Sequence, residues 1–139
     1  MSQYQQQHQG ATLETSEIIL NADTINPELF NGVAMRTAQA LATGKQFMNK
    51  STQIRRFYDE LLMWHSKAEA NEAKFAEYLP FIRMLNAKVA YAEGRKHVDA
   101  NFTLFMQHCL GQVDSVETLR RFKLFFEAML GFYKLEKKD

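Results

Sequence analysis

Hydrophobic and polar positions along this chain of 139 residues repeat mostly with the period of an α-helix. The pattern starts at Asn26-Pro27, where an Asn suited to capping precedes a Pro suited to the first helical position, and it predicts a helix over residues 27–43. Ser51 or Thr52 can cap a second helix, which has the clearest amphipathic pattern in the chain. Its apolar side is formed by Ile54, Phe57, Tyr58, Leu61, Leu62 and His65.

A third helical pattern, over residues 71–93, is apolar on two sides, which predicts a central position in the fold. Pro80 falls inside this pattern, so the helix is either kinked there or interrupted and restarted. A fourth helix is predicted to begin at about Asp99, and a last one follows Asp114, which forms a capping pair with Glu117. Because no hairpin turn or sustained alternation predicts a strand, the expected fold class is all-α, a compact bundle of about five helices.

The N-terminal part of the chain has a different composition. Its first ten residues are almost entirely polar, which predicts a disordered tail. Ile18-Ile19-Leu20 is a short apolar patch without a sustained period, and its structure is left open. The length suits one domain, so we expect a flexible polar tail over residues 1–25 and a single helical-bundle domain over residues 26–139.

Charge is unevenly distributed between these two parts. Residues 1–31 contain four acidic residues and no Lys or Arg, so the remainder carries 17 basic and 12 acidic side chains, a net charge of +5. A surplus of this size permits contact with an anionic polymer without requiring it. The single cysteine, Cys109, and the lack of a signal-peptide pattern indicate a cytoplasmic protein. Charged residues interrupt every apolar stretch, so no membrane span is expected.

Catalytic and metal-binding motifs are not found in the sequence. His108-Cys109 are adjacent and point to different faces of a helix, which does not suit a structural zinc site. Phosphate-binding loops and nucleophile or zinc-hydrolase motifs do not occur either. Asp59 and Glu60 each follow an arginine by four residues, which is typical of a salt-bridged helix surface. We therefore predict no catalytic residue, metal or cofactor.

Basic residues are better placed than acidic ones for a binding site. Several surround the start of the second helix, where backbone donors, the helix dipole and guanidinium groups favour phosphates. The alternative is an ordinary solvated surface with ion pairs. Because the aromatic residues belong to apolar helix faces, nucleic-acid contact is expected mainly with the backbone. The candidate residues are Lys50, Ser51, Thr52, Gln53, Arg55, Arg56, Lys88, Arg95, Lys96, Arg120, Arg121 and Lys134.

Three segments together resemble the small subunit of the type III-A CRISPR effector (Csm) complex. Residues 50–60, Lys-Ser-Thr-Gln-Ile-Arg-Arg-Phe-Tyr-Asp-Glu, are similar to that family's hydroxyl-rich helix start, and Arg55 is the matching arginine. Residues 87–95 are similar to its helix ending with Lys, Tyr and Gly-Arg. The C-terminal segment, residues 125–134, has the aromatic Glu-Ala and Tyr-x-Lys pattern. The matching residues of the second segment are Lys88, Tyr91, Gly94 and Arg95.

The resemblance implies an all-helical, non-catalytic, RNA-binding subunit in antiviral defence. Several copies would stack along the guide RNA and target RNA, in contact with one another and with the backbone and large subunits of the complex. Phosphate and sugar contacts suit this role, because guide pairing then reads the bases. The alternative is a helical adaptor whose basic surface faces acidic protein partners. A third possibility, a small hydrolase, requires a metal or nucleophile that the sequence does not contain.

Overall fold

Helices form the regular structure of the protein in the computed structural model, which describes residues 10–139. The predicted all-α fold class is confirmed, since no strand occurs in this part of the chain. A π-helical turn, Leu29–Val33, leads into the first α-helix, and a 3₁₀ turn, Glu72–Lys74, precedes the third. The α-helices are α1 (Ala34–Ala42), α2 (Ser51–Ala70), α3 (Phe75–Arg83), α4 (Leu85–Gly94), α5 (Ala100–Leu110) and α6 (Val116–Glu136).

The predicted third helix is divided into α3 and α4. Pro80 lies within α3, and the division falls four residues later, at Met84. The Met84 amide still donates to the Pro80 carbonyl, at 3.0 Å, so the two helices follow each other without a loop. Proline has no amide hydrogen to donate within a helix, which weakens the turn before the break. Of the two alternatives, interruption and restart is the one observed.

The central helix is α5, and the prediction of a central third helix was wrong. Eight of the eleven residues of α5 are buried. The second apolar side of the α3–α4 pair is exposed instead, because nothing in the described structure covers it. Its members are Phe81, Met84 and Tyr91, with exposed fractions of 52%, 47% and 67%.

Helices α5 and α6 meet through a cluster of aromatic rings. Phe105 of α5 contacts the rings of Phe122, Phe125 and Phe126 of α6, with centroid separations of 6.0, 6.2 and 5.4 Å. All four side chains are fully buried. Each such pair adds about 0.5–1.5 kcal/mol beyond the effect of area burial. This cluster holds α6 on the central helix, and α6 in turn packs against α1 and α2.

Residues 11–22 form an irregular segment that packs on the helices, unlike the flexible tail expected there. Leu13, Ile18 and Leu20 are buried in the core. Helical side chains supply the partners for the segment's backbone. Asn101 accepts from the amides of residues 12 and 13, at 2.7 and 2.9 Å, and Gln112 accepts from the amide of Leu20, at 2.7 Å. Residues 1–9 of the expected tail lie outside the described residues.

Asn49 joins three parts of the fold. It is buried and has a φ of 54°, a left-handed conformation that Asn adopts more readily than most residues. Its side-chain amide donates to the Leu41 carbonyl at the end of α1, at 3.0 Å, and its side-chain oxygen accepts from the Asp99 amide before α5, also at 3.0 Å. Its own carbonyl accepts from the Tyr133 hydroxyl of α6. The loop before α2 is therefore fixed in place.

Two predicted helix starts differ from the observed ones. Asn26 caps a turn, accepting from the Glu28 amide at 2.8 Å, and the first helical residue is Leu29. The last helix is capped by Ser115, which forms a reciprocal capping box with Thr118, so the predicted Asp114 and Glu117 pair was wrong. In the described part of the chain, no helix combines the length and apolar character needed to cross a membrane.

Candidate nucleic-acid interface

The start of α2 is capped by a residue from the other end of the chain. Ser51 is the first helical residue, and neither it nor Thr52 caps the helix as predicted. The carboxylate of Asp139 instead accepts from the Ser51 amide at 2.7 Å and from the Ser51 hydroxyl at 2.8 Å. The hydrogen bond from the Ser51 backbone amide is the main cause of the lowered pKa of Asp139. One anion therefore already occupies this helix terminus.

A groove of about 550 Å³ lies between the start of α2 and the end of α6, and we call it the α2–α6 groove. Arg55 enters it from α2 and Lys134 from α6. The Arg55 guanidinium lies 5.3 Å from the centre of the Tyr58 ring and 3.3 Å from an oxygen of Asp59. The groove is lined by Ser51, Thr52, Arg55, Tyr58, Glu127, Leu130, Gly131, Tyr133 and Lys134.

Tyr58 lines this groove and contacts both of its helices. Its hydroxyl donates to Glu127 at 2.9 Å, which joins α2 to α6. Burial, followed by this hydrogen bond, raises the pKa of Tyr58 to about 12. The same bond lowers the pKa of Glu127, which also lies 3.5 Å from Lys123. The groove thus contains one carboxylate that is already partnered, beside the cations Arg55 and Lys134.

A second groove, of about 280 Å³, lies on the other side of α2, against α4, and we call it the α2–α4 groove. Arg56 enters it from α2, while Lys88 and Arg95 enter it from α4 and the residue that follows α4. Adjacent arginines on one helix therefore serve two different grooves. The α2–α4 groove is lined by Gln53, Arg56, Phe57, Glu60, Lys88, Tyr91, Ala92, Arg95 and His97.

Pairing within the α2–α4 groove differs from the pairing that sequence spacing predicts. Glu60 accepts from Lys88 at 2.8 and 3.0 Å, instead of pairing with Arg56 four residues earlier. The Arg56 guanidinium has no ion-pair or hydrogen-bond partner among residues 10–139, and Arg95 donates to the Tyr91 hydroxyl at 3.2 Å. Within the described part of the chain, Arg56 and Arg95 thus have no carboxylate partner in this groove.

The remaining candidates are not brought to these grooves. Arg120 pairs with Glu117 at the start of α6, about 21 Å along the helix from Lys134. Arg121 is only 16% exposed and donates to the carbonyls of Leu20 and Ala22, at 3.0 and 2.6 Å. Arg121 thus holds the N-terminal segment on the helices. This contact accounts for a cation in the first turns of α6, where the helix dipole disfavours positive charge, without an external anionic partner. Lys50 and Lys96 are exposed beside the grooves but do not line them.

Two residues of this surface were not among the predicted site residues. Tyr91 matched the family's helix ending but was assigned to an apolar helix face, although its position four residues before Arg95 was a usable signal. Asp139 carried no signal, because a contact between residues 88 positions apart depends on the tertiary fold. No group of three or more His, Cys, Asp or Glu residues between positions 10 and 139 is arranged to hold a metal ion.

The three segments that resemble the Csm small subunit meet at the start of α2. The first and third share the α2–α6 groove, and the first and second share the α2–α4 groove. A family model described as Csm2 Type III-A matches residues 25–139. This range includes α1, which contains none of the three resembling segments. Searches of the curated proteins and of the solved structures gave no match.

Proposed function

Since this chain belongs to the Csm2 Type III-A family and is thus a small subunit of the multisubunit type III-A CRISPR effector complex, we propose that it binds RNA there. The bound RNA is the guide or target strand, and the contacts are mainly to phosphate and sugar. Such contacts accept any sequence and leave base identity to guide pairing. In this role the subunit serves antiviral defence in the cytoplasm.

The observation that supports this proposal is the pair of grooves on either side of α2. Arg55 and Lys134 lie in one, and Arg56, Lys88 and Arg95 lie in the other. Guanidinium groups suit phosphate oxygens because they donate two parallel hydrogen bonds. Since Asp139 occupies the start of α2, we assign phosphate binding to these side chains and not to the helix terminus. Arg121 is excluded, because its donors are used within the fold.

We also propose that the exposed apolar side of α3 contacts another protein subunit. The rings of Phe81 and Trp64 stack at a centroid distance of 5.9 Å, and Tyr78 lies against the same Trp64 ring, at 5.7 Å. Trp64 and Tyr78 are partly buried and Phe81 is exposed, and large exposed apolar groups are typical of interaction surfaces. A second copy of this chain or a backbone subunit would cover this face. Several linked copies on one RNA would then bind it more tightly than one copy.

Catalysis is assigned to other subunits of the complex. The two grooves contain cations, hydroxyls and single carboxylates, and this chemistry suits phosphate binding better than hydrolysis. A two-metal nuclease site needs several carboxylates around the metals. We therefore propose that this subunit positions RNA and does not cleave it.

Purification of the tagged full-length protein from its host tests the proposed function. We expect larger subunits and a short RNA to copurify with it. RNA bound to the isolated subunit should dissociate at high salt, because phosphate contacts weaken as salt rises. A complex in which the subunit crosslinks to acidic protein segments and never to RNA would contradict the proposal. That result would favour the adaptor alternative.

A further inference from the structure

An aromatic ring is exposed inside the basic α2–α4 groove. Tyr91, on α4, is 67% exposed and belongs to the lining of this groove. Most aromatic rings of the fold are buried in the core, as are Tyr58 and Tyr133. The exposure of Tyr91 places a flat, partly apolar surface beside the cations described above.

Arg95 fixes the orientation of this ring. Its guanidinium lies 5.8 Å from the ring centre of Tyr91, and its Nη1 donates to the tyrosine hydroxyl at 3.2 Å. The two residues are four apart, at the end of α4, where helical spacing brings side chains together. Ordering the ring before a ligand arrives reduces the entropy lost on binding. Most of the residue remains accessible to a planar group.

The charges around Tyr91 suit a nucleotide. The groove has three cationic residues and one carboxylate in its described lining, and that carboxylate, Glu60, is paired with Lys88. Among residues 10–139, Arg56 has no ion-pair partner, and Arg95 is bonded to the Tyr91 hydroxyl. Two guanidinium groups that share the groove with the exposed ring are therefore available to the phosphates of a strand. A volume of about 280 Å³ is near the lower limit of ligand pockets, roughly 300 Å³, which suits one nucleotide.

We propose that Tyr91 is a stacking platform for one unpaired base of RNA, and that Arg56 and Arg95 hold the adjoining phosphates. The inference rests on the proposed RNA binding and extends it from backbone contact to one base. Stacking on a ring does not depend on base identity, so it is compatible with a subunit that accepts many sequences. The ring would hold a base out of the helical stack at the position of each copy.

Substitution of Tyr91 in the assembled complex tests this inference. Tyr91→Ala should weaken RNA binding about 5-fold or more, the range found for loss of one stacked base, whereas Tyr91→Phe should stay within about 2-fold. Phe47→Ala is the matched control. Phe47 is a similarly exposed ring with a cation, Lys45, 5.8 Å from its centre, and it lies outside the groove. This control should leave RNA affinity unchanged.

Salt dependence separates stacking from charge. Tyr91→Ala should lower affinity at every salt concentration without changing the slope of log affinity against log salt, because stacking releases no counterions. Arg56→Ala should flatten that slope by about 0.7. An RNA with a single abasic position, moved along the strand, should lose affinity at one register for each copy of the wild-type subunit. The same RNA should show no such loss with Tyr91→Ala.

The outcomes distinguish the two proposals. If Tyr91→Ala binds like the Phe47→Ala control while Arg56→Ala weakens binding, the stacking inference is wrong and RNA binding stands. If no variant changes binding and the isolated subunit does not bind RNA, the proposed function itself is wrong. If Tyr91→Ala releases a protein subunit and leaves RNA affinity intact, the ring contacts protein and the inference is overturned.

Discussion

Asp139 and Ser51 join the end of the chain to the first turn of α2 through two hydrogen bonds to one carboxylate. The contact does the work that an N-cap residue does locally, since it satisfies an amide that has no partner within the helix. It also places a negative charge at the positive end of the helix dipole. Ser51, which also lines the α2–α6 groove, is held by this contact.

Asp139→Ala should lower the stability of the folded protein by about 1 kcal/mol at neutral pH, as loss of a helix cap does. The pKa of Asp139 is lowered in the folded state, so its contribution is fully present above the unfolded pKa of about 4 and is lost as pH falls through the folded value. Urea unfolding at neutral and acidic pH measures this. Ser51→Ala removes only the hydroxyl donor and leaves the amide donor in place, so it should cost less than Asp139→Ala, and the double variant should cost little more than Asp139→Ala alone. Additive losses would contradict a direct pairing.

Combined replacement of Arg55 and Arg56 by Ala should weaken RNA binding for all sequences about equally. Loss of two phosphate contacts on single-stranded RNA should flatten the slope of log affinity against log salt by about 1.4. Each single variant should contribute about half, because the two arginines serve separate grooves. RNA titrations at several salt concentrations, with the complex and with the isolated subunit, measure the slope. An unchanged slope in a well-folded double variant would mean that neither arginine contacts phosphate and that both are ordinary surface residues of the helix.

Leu20→Ala should destabilise the protein by about 2–5 kcal/mol, as expected for truncation of a fully buried leucine. Ile19→Ala, at the neighbouring and half-exposed position, is the control and should cost within about 0.5 kcal/mol. Denaturant unfolding compares the two variants. Equal and small effects would mean that the N-terminal segment does not stabilise the core. That result would agree with the flexible tail expected from the sequence.

Tyr58→Phe should cost about 1 kcal/mol through loss of the hydrogen bond to Glu127. Because the pKa of Tyr58 is raised to about 12, the bond stabilises the fold fully below the unfolded pKa of about 10 and loses this effect as pH rises toward 12. The difference in unfolding free energy between wild type and variant should therefore shrink above pH of about 10. Tyrosinate absorbance should show one late-titrating tyrosine fewer in Tyr58→Phe. A difference that stays constant into alkaline pH would rule out this coupling.

RNA incubated with the isolated subunit and any common divalent metal should remain intact, since we assign cleavage to other subunits. The measurement is a gel assay with a labelled strand. Metal-dependent cleavage that copurifies with the protein and disappears on replacing Glu60 or Glu127, the carboxylates of the two grooves, would refute the assignment.

Helical periodicity by itself determined the fold class and the approximate limits of the helices. The residues that bury each helix recur within one or two turns, so their pattern is readable along the chain. The exposure of Arg55 and Arg56 was predictable for the same reason, because both lie off the apolar side of α2. The family resemblance was also a property of the sequence, carried by three separate segments.

Tertiary packing alone decided which of these residues share a site. Arg56 and Arg121 look alike in sequence. One guanidinium lies in a groove without a partner in the described part of the chain, and the other is bonded to the backbone of the N-terminal segment. Glu60 pairs with Lys88 from another helix and not with the arginine four residues before it. Such choices depend on the relative placement of distant segments, which hydrophobic periodicity does not encode. For the same reason the burial of residues 13, 18 and 20, the exposure of Tyr91 and the cap from Asp139 required the folded structure.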